Sequence, residues 1–172
     1  MQKNLCIIPV RGGSKGIPRK NLRNIFKEIT LLEWTINQAK EAFYKEDILI
    51  STEDSEIKEV AQSCNVRVID RPKYLAKDNS KTISVIDHLF KVFKNENINF
   101  NTFTILQVTS PLRLVTNIKD SIKLINNYSY DSVISVYEDD NHPAKTYFIN
   151  KGNLEPVLPK YESLQRQKLP KV

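Results

Sequence analysis

Residues 7–21 read IIPVRGGSKGIPRKN. An apolar run ends there at an arginine, two glycines, a serine, a lysine and a third glycine. A buried strand that simply turned would need one glycine and a polar neighbour. Instead the chain enters a flexible loop carrying Arg11, Lys15, Arg19 and Lys20, with no acid until Glu28. Its small residues expose backbone N–H groups, Arg11 and Lys15 supply positive charge, and Ser14 supplies a hydroxyl. These are the ingredients of a phosphate cradle; the alternative is a plain glycine turn. The pattern is not the G-x-G-x-x-G of dinucleotide folds, because Gly12 and Gly13 are adjacent. Nor is it a P-loop, because isoleucine follows Gly16.

Outward from this loop the apolar period changes several times. Residues 5–10 suit a strand buried on both faces. Thr30-Leu31-Leu32-Glu33 has the form of a capping box and opens a helix with Leu32, Ile36, Ala39 and Phe43 on one stripe. Residues 48–51 read as a second strand, 55–63 as a charged helix, and 66–69 as a third strand stopped by Asp70-Arg71-Pro72. A long loop then leads to a helix expected to turn Ile83, Ile86, Phe90 and Phe93 inward. Residues 103–108 read as a fourth strand, 116–126 as a helix capped by Thr116, and 132–136 as a fifth strand. Such alternation predicts a three-layer α/β domain with a mostly parallel sheet between helices.

Past residue 136 the texture changes. Asn150-Lys151-Gly152-Asn153 predicts a hairpin turn, and PVLPKYESLQRQKLPKV follows without any period. That segment is either a tail or an arm packing against another chain. The expected division is therefore an α/β core at 1–137 and an arm at 138–172.

With 172 residues, 40% hydrophobic and 27% charged, the chain has the composition of an ordinary soluble globular protein. No apolar stretch approaches a membrane span, and the N-terminus enters a strand with no cleavage site, so a cytoplasmic location is the default. Cys6 and Cys64 lie far apart and read as packed thiols. Only His88 and His142 are present, which argues against an imidazole-built zinc site. The net charge of +6 could suit nucleic acid, but the lysines are scattered and often sit beside glutamates. A basic surface around a phosphate site is the simpler explanation.

Ligands of open parallel sheets bind beyond the carboxyl ends of the strands. Four polar clusters follow strands here: RGGSKGIPRKN, STEDS, DRPKYLAKDNSKT and QVTSPLR. Together with HPAKT and QRQKLPK further on, this ordered set resembles the acylneuraminate cytidylyltransferases, the CMP-sialic acid synthetases. The resemblance runs over essentially the whole chain.

It implies a nucleotidyltransferase-like, Rossmann-like domain that transfers CMP from CTP to a nine-carbon keto sugar acid and releases pyrophosphate. The product would serve lipopolysaccharide or capsule biosynthesis. By the resemblance, Arg11, Ser14, Lys15 and Asn21 hold the triphosphate and ribose, with Arg11 and Lys15 the catalytic cations on the leaving pyrophosphate. Arg71, Ser80 and Thr82 surround cytosine. Gln107 and Arg113 contact the sugar acid, with Thr109 and Ser110 as the wall between the two substrates. Lys145 and Arg166 reach across the interface of a homodimer. His142 could be mistaken for a base, but HP-x-KT reads as a positioning turn.

Magnesium is the expected cofactor, yet the family's acidic metal-holding segment follows the part of the sequence matched here. Asp54, Asp70 and Asp78 show no paired spacing for a metal, so no metal ligands are assigned. A fragment, a natural truncation and a chain completed by another polypeptide all fit. The alternative function is thus a CTP-binding module of the same ancestry with weak catalysis. The sugar itself stays open among N-acetylneuraminic, legionaminic and pseudaminic acids. A nucleic-acid partner and a membrane partner are not expected.

Overall fold

The computed structural model describes residues 3–14, 16–128, 130–136, 142–161, 163–164 and 168–169. Its centre is β1 (Asn4–Pro9), which sends Cys6 and Ile8 to one face and Leu5 and Ile7 to the other, all buried. Burial on both faces is what a parallel strand between two helix layers requires. β4 (Ile48–Thr52), buried throughout, pairs with β1 in the register Ile7↔Leu49, and β5 (Arg67–Asp70) pairs with β4. β6 (Thr102–Ile105) lies on the other side of β1, giving the all-parallel order β5-β4-β1-β6.

Helices cover both faces. α1 (Leu31–Lys40), α2 (Ser55–Ser63) and α4 (Val115–Asn127) pack Leu32, Ile36, Ile57, Ala61 and Ile118 against Cys6, Ile8, Ile48 and Ile50. α3 (Thr82–Asn95) packs Val85, Ile86, Leu89 and Phe93 against Leu5, Ile7, Leu49 and Ile69. The domain has the expected three layers. Its strand order runs outward through β4 and β5, then returns across β1 to β6. This reversal makes the carboxyl ends of β1 and β6 a crevice.

Several boundaries differ from the sequence reading. β6 ends at Ile105, three residues before the expected end. Leu106 N–H still donates to Ile7 C=O at 3.0 Å, but the next ladder bond would need an N–H from Pro9, which has none. Residues 132–136, expected as a fifth strand, adopt no regular structure, with Ile134 and Val136 largely exposed. Alternation makes a strand only where an edge accepts it.

α3 is rotated from the expected stripe: Ile83 is 60% exposed, and Phe90 sits at the rim. There its ring meets Phe100 and Phe103 at centroid distances of 5.5 and 5.3 Å. α4 starts at Val115, so Thr116 is not its cap. Asn117 Oδ1 instead accepts the Leu114 N–H at 3.0 Å from inside the first turn. A small hairpin, β2 (Asn24–Phe26) with β3 (Ile29–Thr30), was not expected; all three β2 residues are exposed, so no apolar pattern announces it.

The chain divides into two compact units, Met1–Val133 and Ile134–Val172. In the second, β7 (Tyr147–Asn150) and β8 (Asn153–Pro156) form the expected hairpin. Lys151 and Gly152 at its turn have φ of 48° and 85°, as a type I′ turn demands.

The capping box at α1 is complete. Thr30 Oγ1 accepts the Glu33 N–H at 3.2 Å, and Glu33 Oε2 accepts the Thr30 N–H at 2.8 Å. Thr30→Ala should therefore destabilise the domain by about 1 kcal/mol, with Thr30→Ser close to wild type. Urea unfolding midpoints check this, and an unchanged midpoint in the alanine variant contradicts it.

Candidate functional site

The site is built where β1 leaves the sheet. Val10 N–H donates to Ser51 C=O at 3.1 Å, and Gly12 N–H donates to Glu53 Oε1 at 2.9 Å. The chain there runs so close to Asp54 that a Cβ at Gly12 would stand 2.0 Å from Asp54 Oδ2. Only glycine fits that approach. Asp54 is itself the cap of α2, accepting the Ile57 N–H at 3.1 Å. It also receives both terminal nitrogens of Arg19, Nη1 to Oδ2 at 2.6 Å and Nη2 to Oδ1 at 2.9 Å. The hydrogen-bonded Arg19 guanidinium holds the Asp54 carboxyl below its ordinary range and is itself pushed up by it.

A cavity of about 650 Å³ opens beyond the carboxyl ends of β1 and β6. From the predicted set, Arg11, Ser14, Asn21, Arg71, Ser80, Thr82, Gln107 and Thr109 all line it. The topology alone brings them together, since they come from loops after three different strands. Arg11 spans toward the 76–78 segment, with Nη1 to Ala76 C=O at 3.3 Å and Nη2 to Asp78 Oδ1 at 3.1 Å. Asn21 is buried and donates through Nδ2 to Arg11 C=O at 3.0 Å. Its Oδ1 is a buried acceptor that meets no donor among the described residues.

Arg71 is buried at 7% exposure and braced on Ser51, with Nη2 to the carbonyl at 2.5 Å and Nε to Oγ at 3.3 Å. Burial pushes its pKa down, Glu53 opposes this, and the like charge of Arg11 adds to it. Ser80 donates its hydroxyl to Tyr74 C=O at 3.0 Å, so it orders its own loop. Thr82 begins α3, whose first turn carries no acid; the N-terminal end of its dipole favours an anion.

Ser110 and Arg113 stand beside this cavity and not on its wall. The Arg113 guanidinium folds back on its own turn, donating from Nε to Ser110 C=O at 3.0 Å and from Nη2 to Gln107 C=O. Burial lowers its pKa. The turn is also held from α1, a support that sequence reasoning missed. Trp34 Nε1 donates to Pro111 C=O at 2.8 Å and Gln38 Nε2 to Arg113 C=O at 2.6 Å. Gln38 lies beside the apolar stripe of α1 and is buried, which no local pattern in the sequence announced.

Lys145 belongs to the second unit, in the turn Pro143–Lys145, where His142 Nδ1 accepts the Ala144 N–H at 3.1 Å. That is a positioning contact. Lys15 and Arg166 lie outside the described residues. Asp54 is engaged by Arg19, and the largely exposed Asp70 pairs with Lys58 at 2.7 Å. Among the described residues no group of three or more His, Cys, Asp or Glu is placed to hold a metal. Nor is any described helix long and apolar enough to cross a membrane.

Comparison with known proteins agrees with this architecture. The chain is 31% identical over 170 residues to the N-acylneuraminate cytidylyltransferase of Streptococcus agalactiae serotype III, covering 97% of this chain and 40% of that protein. It is 29% identical over 153 residues to the pseudaminic acid cytidylyltransferase of Campylobacter jejuni, covering 88% and 65%. The chain thus spans about two fifths of the streptococcal relative's length. Among solved structures, a CMP:2-keto-3-deoxy-manno-octonic acid synthetase complexed with CTP superposes with a TM-score of 0.60 at 17% identity, over 74% of this chain and 49% of that one. A cytidylyltransferase from Leptospira borgpetersenii gives 0.56 at 21%, over 76% and 50%; both support the fold. The sequence profile of one family, described as Cytidylyltransferase, matches residues 5–153, and the chain belongs to that family.

Proposed function

We propose that this protein binds CTP in the crevice at β1 and β6 and transfers its CMP group to a nonulosonic, sialic-type acid. The observation that carries the reading is the cavity itself. It is nucleotide-sized and lined by Arg11 and Lys20 of the first loop together with the buried Arg71. The sugar acids named for the streptococcal and campylobacter relatives support the acceptor class.

In this reading Arg11, Ser14 and Lys15 take the triphosphate, and the buried Asn21 Oδ1 accepts a hydrogen bond from a ribose hydroxyl. Arg71, Ser80 and Thr82 face cytosine. Gln107 and Thr109 border the acceptor, with Ser110 and Arg113 shaping the turn behind them. The acceptor's anomeric oxygen attacks the α-phosphorus in line. A new P–O bond forms, the bond to the β-phosphate oxygen breaks, and the acceptor hydroxyl loses its proton. Arg11 and Lys15 oppose the charge that grows on the departing pyrophosphate. A homodimer completes the proposal, with Lys145 and Arg166 on the acceptor side. The test is pyrophosphate release from CTP, with magnesium added, in the presence of a panel of nine-carbon keto sugar acids. Acid-dependent release supports transfer; CTP binding without release leaves a nucleotide-binding module.

Arg11→Ala should weaken CTP binding by about 2 kcal/mol, the scale of a charge-assisted contact. Isothermal calorimetry reads this directly, and equal affinities contradict the assignment. A site that hydrogen-bonds the base rejects one with the wrong donors and acceptors. CTP should accordingly outcompete UTP and ATP, and this preference should fall in Arg71→Met. Equal competition by all three in the wild type would mean that phosphate alone is recognised.

A further inference from the structure

Arg19 belongs by sequence to the cationic loop, yet it does not line the cavity, whereas its neighbours Lys20 and Asn21 do. It adopts φ 54°, a left-handed conformation uncommon for a residue with a side chain. Its guanidinium instead grips Asp54 through two bonds of 2.6 and 2.9 Å and reaches Glu56 Oε2 at 2.9 Å. The same Asp54 carboxylate presses on Gly12 at the start of the loop. One carboxylate, held rigid as the cap of α2, therefore contacts both ends of the segment that carries Ser14.

We propose that the Arg19–Asp54 pair is the positioning element of the phosphate-binding loop, acting through the loop backbone without touching nucleotide. This rests on the CTP reading of the cavity. A glycine-rich loop left free would have to be ordered by the ligand, at a cost in backbone entropy for each residue fixed. Pinning it beforehand removes that cost from binding. The pair suits the task. A bidentate arginine–carboxylate contact fixes orientation as well as distance, and Asp54 is mostly shielded, at 18% side-chain exposure.

Asp54→Asn separates the two duties of the residue, because asparagine caps a helix about as well as aspartate but offers arginine no charge. Calorimetric titrations with CTP, and with inorganic tripolyphosphate as a base-free probe, compare wild type with Arg19→Met, Asp54→Asn, the double variant and Arg19→Lys. Arg19→Met and Asp54→Asn should each lose about tenfold in affinity for both probes. The double variant should lose little more than either, since both changes remove one interaction. Arg19→Lys should recover part of the loss. The discrimination between CTP and UTP, which the base end sets, should stay at the wild-type ratio.

In Asp54→Asn, amide hydrogen exchange should quicken over residues 12–14 and 16–20 but not over 55–63. Wild-type affinity, within about twofold, in folded Asp54→Asn and Arg19→Lys overturns the clamp even if Arg19→Met fails to fold. So do fully additive losses in the double variant. No CTP binding by the wild type overturns the reading of the cavity itself, and is distinguished by that control.

Discussion

Everything in this domain depends on β1 being paired along both edges and buried on both faces. Cys6, Ile7 and Ile8 have no exposed surface, and the strand is bonded to β4 on one side and β6 on the other. Such a strand can end only by leaving the sheet at its tip, and Pro9 makes that end abrupt by withholding an N–H. The residues that follow emerge between the tips of β4 and β6. Helices occupy both faces, so the tip is the place left for polar chemistry.

The electrostatics of that place follow from the same geometry. Arg71 is carried into the cavity wall by the end of β5 and braced on a backbone carbonyl, so its guanidinium is desolvated, with the Glu53 charge partly offsetting the cost. Arg11 stands near enough to disfavour its charge further. Two cations facing one partly dry space favour an anion, and the dipole of α3 points the same way. Asp78 partners Arg11, and it is accessible enough for solvent to screen the pair.

Support for the site comes from elements remote in the chain. Asp54 and Glu53, at the start of α2, hold the first loop, while Trp34 and Gln38 of α1 hold the turn after β6. These supports sit on packed helices, whose positions are set by the two apolar clusters on the faces of the sheet. The site is thus as rigid as the core allows, with Ser14 and its neighbours on the stretch between pins.

The layers, the four paired strands and the capping box at Thr30 were legible in the sequence, because apolar period and cap chemistry act over a few residues. The sequence also marked the loop at Arg11 and its companions, since polar groups after strands of a parallel sheet share one edge; within those loops it was the family resemblance that singled out Asn21, Arg71, Ser80, Thr82, Gln107 and Thr109. Tertiary structure alone decided which way the longer side chains turn. Arg19 faces Asp54, 35 residues away, Arg113 folds back on its own turn, and Trp34 bonds a carbonyl 77 residues on. It decided equally that residues 132–136 form no strand and that α3 buries Val85 and Leu89 in place of Ile83. A strand needs an edge and a guanidinium needs a partner, and both are supplied by parts of the chain that no local pattern can see.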